Sequence, residues 1–265
     1  MTQSHPLEVK PTNIRADIIG TCRICKKNPL YSLKTMIGIT IGQSICDDCQ
    51  LKETKLKEQE ELEEQISHLY GWANLPPNVA NITFNKMFFE DQNNKKLINK
   101  LSEEQIDKHT ILPYIYGLSG VGKTYLSYCF ANRMITQNHK YTYFVNIPST
   151  LWRYRIEKTH SPSWPLIPIL IVDDLWNHTI TNWSLEFIYE IIDNRTRYQL
   201  PTLITSNTSP IKLKEYLFSA AKEHVSHSLI KCLIDRMFEL CEPIEMKGHS
   251  KRTELAVNRK KNEQK

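Results

Sequence analysis

Gly117-Leu-Ser-Gly-Val-Gly-Lys-Thr124 fits G-x-x-x-x-G-K-[ST], the spacing of a phosphate-binding loop. An apolar, β-prone run (Ile111 to Tyr116) precedes it and a helix-forming stretch (Tyr125 to Ile135) follows, the strand–loop–helix setting such a loop requires. Gly117, Gly120 and Gly122 let the backbone come close, so successive N–H groups can ring a polyphosphate while the first helical turn adds its positive dipole end. The nucleotide contacts assigned on this basis are Gly117, Ser119, Gly120, Val121, Gly122, Lys123, Thr124 and Tyr125. Lys123 is placed to reach the β- and γ-phosphates of ATP, and the Thr124 hydroxyl to hold Mg²⁺. The competing reading is an ordinary Gly-rich strand-to-helix turn, which does not require Lys-Thr directly after the last glycine.

Pro168-Ile-Leu-Ile-Val-Asp-Asp174 is a short apolar run ending in two acids, the pattern of a strand buried on both faces of a parallel sheet. Asp173 at its carboxyl end supports Mg²⁺ through the water shell. Asp174 polarises the attacking water, as a general base or as a water-orienting group. A third run, Leu200-Pro-Thr-Leu-Ile-Thr-Ser-Asn207, brings Asn207 to the γ-phosphate or the water; alone it would be an ordinary strand and turn. Together the three runs define a nucleotide-hydrolysing site, an ATPase.

Four of the seven cysteines form two pairs, Cys22-Arg-Ile-Cys25 and Cys46-Asp-Asp-Cys49. Paired C-x-x-C knuckles about 15–20 residues apart in a reduced compartment read as a closed, structural Zn²⁺ site. Redox pairs are the alternative, but no thioredoxin-like βαβ unit lies nearby. Thr35-Met-Ile-Gly-Ile-Thr-Ile-Gly between the knuckles suits a small hairpin, and Gln50 to Leu69 suits a helix, giving the layout of a zinc ribbon or treble clef folded around the metal. Lys26, Lys27 and Lys34 are compatible with DNA; Asp47 and Asp48 favour protein docking. Cys129, Cys232 and Cys241 lack partners at ligand spacing and read as core residues.

These motifs need scaffolding, and the chain of 265 residues has room for one medium α/β domain plus a small module. Hydrophobic content of 40% and charged content of 24% suit a globular protein. No run approaches the ~20 apolar residues of a membrane span and the polar start lacks a signal-peptide core, so the expected compartment is the cytoplasm. Net charge of +5 is modest, but Lys247, Lys251, Arg252, Arg259, Lys260, Lys261 and Lys265 crowd the end, either as a solvated tail or as phosphate contacts. The expected layout is a flexible start (1–20), a zinc module (21–50), a connector helix (51–71), an ATPase domain (72–252) and a basic tail (253–265). The connector carries mixed charges and a thin apolar stripe (Leu62, Ile66, Leu69), and Pro76-Pro77 closes it. Leu97–Gln105, Trp183–Arg195, Lys212–Leu217 and Leu229–Leu240 read as helices. Tyr141–Ile147 and Pro243–Met246 read as strands, and Ser161–Pro168 as a loop. Alternation of this kind gives an α/β fold, a parallel sheet flanked by helices with the nucleotide at the carboxyl ends of the strands.

From Pro76-Pro77 onward the order of motifs resembles the DnaC/DnaI/IstB group of AAA+ ATPases, over nearly all of residues 72–252. The likeness is carried by Leu-Pro-Pro…Ile82-Thr-Phe, the Gly117–Thr124 loop, Ile-Val-Asp-Asp-Leu175, Ile191-Ile-Asp-Asn-Arg-Thr-Arg197, Leu-Pro-Thr-Leu-Ile-Thr-Ser-Asn207, Leu233-Ile-Asp-Arg-Met237 and Gly248-His-Ser-Lys-Arg252. With a zinc module ahead of the core, the chain looks most like the DnaI type of replicative helicase loader. The resemblance implies that Arg236 is an arginine finger reaching a neighbouring subunit's ATP, and that Arg252 is the sensor-2 phosphate contact. The bland alternatives are a surface salt bridge and membership of the basic tail. Cys232 stands where several relatives carry a further arginine, and the segment between Tyr154 and Pro168 is short where relatives place an extra helix for single-stranded DNA.

The function so implied is ATP-dependent loading of a replicative hexameric helicase onto single-stranded DNA. Self-association through the ATP site and slow, switch-like hydrolysis would accompany it. Two rivals remain: an IstB-like helper that binds DNA and activates a transposase, and a zinc-bearing adaptor whose ATPase site is occupied but inactive.

Overall fold

The computed structural model describes residues 16–34, 40–42, 44–87, 91–157, 166–220, 227–251 and 253. They fall into two compact units, Met1–Glu64 and Gln65–Lys265.

In the first unit, β1 (Ala16–Thr21), β2 (Pro29–Lys34) and β3 (Thr40–Gly42) form an antiparallel sheet in that order. The knuckle at Cys22 reverses the chain: Cys22 N donates to Asn28 O at 2.9 Å, and Lys26 takes a left-handed φ of 55° to complete the turn. Two expectations change here. Residues 16–20, expected to belong to a flexible start, form most of β1, because the knuckle brings β2 alongside them (Ala16↔Leu33, Thr21↔Pro29). The small hairpin expected within 35–42 is instead a pairing of β3 with the upstream β2 (Ser32↔Gly42, Lys34↔Thr40), residues 35–39 lying outside the described ones. Helix α1 (Asp47–Trp72) starts earlier than expected because Cys46 O accepts from Gln50 N at 2.9 Å, with Asp47 and Asp48 favourably placed at its positive end. It continues into the second unit, where Leu69 and Ala73 pack with Ile135. Leu62, expected on the apolar stripe, is exposed.

The second unit is built on five parallel strands in the order β5–β6–β7–β4–β8: β4 (Leu112–Tyr116), β5 (Thr142–Asn146), β6 (Ile169–Leu175), β7 (Thr202–Ser206) and β8 (Cys241–Glu245). Alternate residues face opposite sides, and both sides are buried. Ile169, Ile171, Leu203 and Phe144 meet Leu126, Phe130 and Met134 of α3 (Lys123–Thr136) together with Leu97 and Leu101 of α2 (Gln92–Glu103). Leu170, Val172, Ile204 and Val145 meet Leu185, Ile188 and Ile192 of α5 (Asn182–Arg197) and Leu233 and Met237 of α7 (His227–Leu240). This two-sided cover is why the strands read as continuous apolar runs. The remaining helices are α4 (Ile147–Glu157) and α6 (Pro210–Ala220). Helix α4 carries no clear helical signal in the sequence, since its Pro-Ser-Thr opening looks like a loop; Asn146 starts the helix by accepting from Ser149 N at 3.2 Å and Ser149 Oγ at 2.8 Å. The Pro-rich loop expected at Ser161–Pro168 lies outside the described residues up to 165.

Strand β5 is an edge, and its backbone at Phe144 is paired with the chain just after α1. Phe144 N donates to Ala73 O at 2.9 Å, and Asn74 Nδ2 donates to Phe144 O at 2.7 Å. Asn74 takes a left-handed φ of 53° to turn the chain there.

Candidate functional site

Strand register brings the site together. Tyr116, which precedes the glycine loop, pairs with Ser206, which precedes Asn207, and Asn146 pairs with Asp173. Because β7 lies between β4 and β6, Asn207 sits between the loop and the acids. The loop's glycines are set by close approach. A Cβ on Gly117 would lie 2.2 Å from Met246 O, and one on Gly120 would lie 2.2 Å from Ser250 Oγ on a backbone of φ +86°. The chain after β8 therefore runs directly against the loop, and Lys251 N donates to Gly120 O at 3.0 Å.

Lys123 is the first residue of α3 and is nearly buried. Its Nζ donates to Gly117 O at 2.8 Å, Leu118 O at 2.9 Å and Asn207 Oδ1 at 2.8 Å, so the ammonium is aimed into the curve of the loop. Thr124 Oγ1 donates to Asp173 at 3.0 and 3.2 Å to its two carboxylate oxygens. Asp173 also accepts from Thr205 Oγ1 at 2.7 Å and from Asn146 Nδ2 at 3.5 Å. Burial pushes its carboxyl above the ordinary carboxylate value and the neighbouring Asp174 charge adds to this, against the hydrogen bonds from Thr205, Thr124 and Asn146. A buried carboxylate beside a threonine hydroxyl is an oxygen donor set that suits Mg²⁺ on a polyphosphate.

Asp174 owes its position to a bulge. Val172 pairs with Ile204 but Leu175 with Ser206, so β6 carries one extra residue there. Asp174 takes φ 55° and Trp176 φ 72°, both left-handed. The disrupted ladder is repaired by side chains of β7: Thr205 Oγ1 accepts from Asp174 N at 3.1 Å, and Ser206 Oγ donates to Leu175 O at 2.9 Å. Thus Asp173 stays in the buried layer while Asp174 turns into a cavity of about 520 Å³. Ser119, Gly120, Gly122, Lys123, Thr124, Tyr125 and Asn207 also line it. Val121 is buried in the core behind the loop.

Residues not assigned to the nucleotide from the sequence share the cavity: Ile82, Lys86 and Met87 from the entry segment, Tyr128 from α3, Asn177, and Lys251. Ile82 lies in the quoted Leu-Pro-Pro…Ile-Thr-Phe segment and Lys251 in Gly-His-Ser-Lys-Arg; the others carry no sequence signal. Arg236 is not part of its own chain's cavity. It lies half-exposed on α7, paired with Asp193 at 3.5 Å and Glu239 at 3.7 Å. Arg252 lies outside the described residues. Arg195, quoted as part of the Ile-Asp-Asn-Arg match, is fully buried and structural. Its guanidinium donates to Thr202 Oγ1 at 2.8 Å and Pro168 O at 3.2 Å, and also to the carbonyls of Ile167 and Pro201, closing the amino ends of β6 and β7. Burial draws its pKa down to about 9.

The four cysteines of the first unit converge, with Sγ atoms all within 4.8 Å of one another. Two sulfurs bound tetrahedrally to zinc stand about 3.8 Å apart, and Cys25 Sγ and Cys46 Sγ are separated by 3.8 Å. Against burial, N–H groups of Cys46, Cys25 and Ile24 pull the Cys22 thiol down to about 6. Asn28 Nδ2 ties the knuckles, donating to Cys46 Sγ at 3.4 Å and Asp48 Oδ2 at 3.0 Å. The donor set fits a structural Zn²⁺. Among the described residues no helix is long and apolar enough to cross a membrane.

A five-stranded parallel sheet with a glycine loop on one strand, an acid pair two strands away and a polar residue between them defines a P-loop nucleotide-binding protein of the AAA+ type. A family profile described as IstB-like ATP binding protein matches residues 50–259, and the chain belongs to that family. The replicative helicase loader DnaI of Bacillus subtilis (strain 168) is 27% identical over 146 residues, 52% of this chain and 47% of that protein, so the match spans about half of that relative. A crystal structure of DnaI is similar with a TM-score of 0.54 and 22% identity, covering 67% of this chain and 94% of that one. The DnaC helicase loader is similar with a TM-score of 0.53 and 18% identity, covering 65% and 100%. Both structures bear on the fold: a DnaC/DnaI/IstB-like AAA+ core.

Proposed function

We propose that the chain is an ATP-dependent loader of a replicative hexameric helicase onto single-stranded DNA. Residues 72–252 act as the ATPase domain, 21–50 as a zinc module that docks on protein, 51–71 as the connector and 253–265 as a basic tail. The loop N–H groups and Lys123 bind the phosphates, while Thr124 and Asp173 would hold Mg²⁺, which would supply charge neutralisation of the polyphosphate. Asp174 accepts the proton of the attacking water or orients it, and Asn207 fixes the water or the γ-phosphate. Arg236, half-exposed and in ion pairs of 3.5 and 3.7 Å among the described residues, is offered to a neighbouring protomer's ATP, and Arg252 to its own. Hydrolysis is slow and ends the complex.

The likeness to DnaI, in a chain that also carries the four-cysteine cluster, is the observation that supports this reading. Its test is co-purification with the hexameric replicative helicase of the same host. The full chain should co-elute with it, and Lys123→Ala should abolish nucleotide binding while leaving helicase affinity nearly intact. Arg236→Ala should keep ATP binding yet lower turnover, on the order of 10³-fold if it acts as a finger. Unchanged turnover at high protein concentration removes that assignment. A second reading, an IstB-like transposition helper, draws on the family profile. Tighter binding to duplex than to single-stranded DNA, without helicase co-elution, would select it.

A further inference from the structure

The phosphates and Mg²⁺ account for one part of the cavity, but not for Ile82 and Met87, which give it an apolar wall suited to a flat heteroaromatic ring. This wall belongs to a stretch with little regular structure, two short 3-10 turns at Pro77–Val79 and Phe84–Lys86. Such a stretch needs an external anchor to hold a fixed distance from the loop. Asn132 supplies one. It is nearly buried on α3, and its Nδ2 donates to Val79 O at 2.6 Å and Ile82 O at 2.7 Å, using both amide hydrogens. Its Oδ1 accepts from Tyr70 OH at 3.0 Å, which fixes the amide's orientation.

We propose that Asn132 is the positioning residue of the base-binding wall: it fastens Val79 and Ile82 to the helix that begins at Lys123, so that purine and phosphates are gripped by one rigid rod. Asn132 stands nine positions after Lys123 on α3, about 14 Å along its axis. The proposal rests on the reading of the cavity as an ATP site. A merely structural role for Asn132 would weaken every ligand alike, or none. A positioning role touches only ligands that carry a base.

The test compares Mg·ATP with Mg·tripolyphosphate by calorimetry on the full chain. Asn132→Asp keeps the shape and the acceptor for Tyr70 but removes both donors. It should weaken ATP about tenfold, about 1.4 kcal/mol, and leave tripolyphosphate within about twofold. Met87→Ala should show the same selectivity. Equal losses for both ligands, or no loss, overturn the role of Asn132. If circular dichroism shows Asn132→Asp unfolded, Tyr70→Phe decides in its place, with a smaller loss confined to ATP supporting the proposal and a loss shared by both ligands overturning it. Wild-type protein that binds neither ligand removes the ATP reading itself; wild-type protein that binds tripolyphosphate as tightly as ATP removes only the base wall.

Discussion

Thr205 Oγ1 donates to Asp173 Oδ1 at 2.7 Å, and the same oxygen accepts from Asp174 N at 3.1 Å. One hydroxyl on the middle strand thus fixes both acids, the buried one through its carboxylate and the cavity-facing one through its backbone.

Replacing Thr205 by Val keeps the β-branched shape and removes both bonds. An unmade buried hydrogen bond costs about 1–3 kcal/mol, so the Mg²⁺ concentration for half-maximal ATP turnover should rise about tenfold. Thr205→Ser should stay close to wild type. A Mg²⁺ titration of turnover checks this, and identical curves for the Val and Ser variants would show that the hydroxyl has no part in holding the acids.

Asp173 holds its proton more tightly folded than unfolded, because burial raises its pKa above 3.8. Folding therefore takes up a proton at pH values between 3.8 and the raised value. The stability from this group is fully present below 3.8 and is lost as pH rises through the folded pKa. Without Mg²⁺, Asp173→Asn should accordingly raise the melting temperature at pH 8 and leave it nearly unchanged at pH 4, by on the order of 2–4 °C for each kcal/mol relieved. Metal-dependent ATP binding by the wild type should weaken on acidification, as proton and Mg²⁺ compete. Melting curves at the two pH values decide it; an equal gain at both would mean the carboxylate is not the strained species.

The purified full chain should carry a single zinc, bound by Cys22, Cys25, Cys46 and Cys49. Structural zinc contributes apparent energies of about 10–16 kcal/mol in isolated peptides, so a chelator or Cys46→Ser should melt the small β1–β3 sheet and leave ATP affinity within about twofold. Metal analysis and proteolysis of residues 16–46 report the two parts. A metal-free chain that keeps this segment protease-resistant would remove the zinc assignment.

Much of the candidate site's layout was legible in the sequence because phosphate-loop and knuckle chemistry demands residue types at fixed local spacing. Lys123 and Thr124 must follow the last glycine, Asp173 must end a buried strand, and paired knuckles need C-x-x-C. The sheet was legible for a related reason, since two-sided burial leaves unbroken apolar runs. What escaped depends on distant partners. Thr205, Asn132 and Lys251 look like ordinary strand, helix and tail residues until the fold sets them against β6, the entry segment and the glycine loop. Arg195 shows the reverse case: a residue inside a recognised motif, spent on backbone carbonyls far from the carboxyl edge. Strand β1 was missed because its partner is chosen by the knuckle and not by its own pattern.

The backbone pairing of Ala73 with Phe144 governs where this protein can be cut. A fragment begun at residue 76, the tempting boundary beside the double proline, would lose the partners of Phe144 N and O and leave that point of the β5 edge open to pairing with another chain. A fragment begun at Gln65 keeps that seam closed. Insolubility of the shorter piece would then reflect a missing border strip, with no bearing on whether the ATPase fold is autonomous.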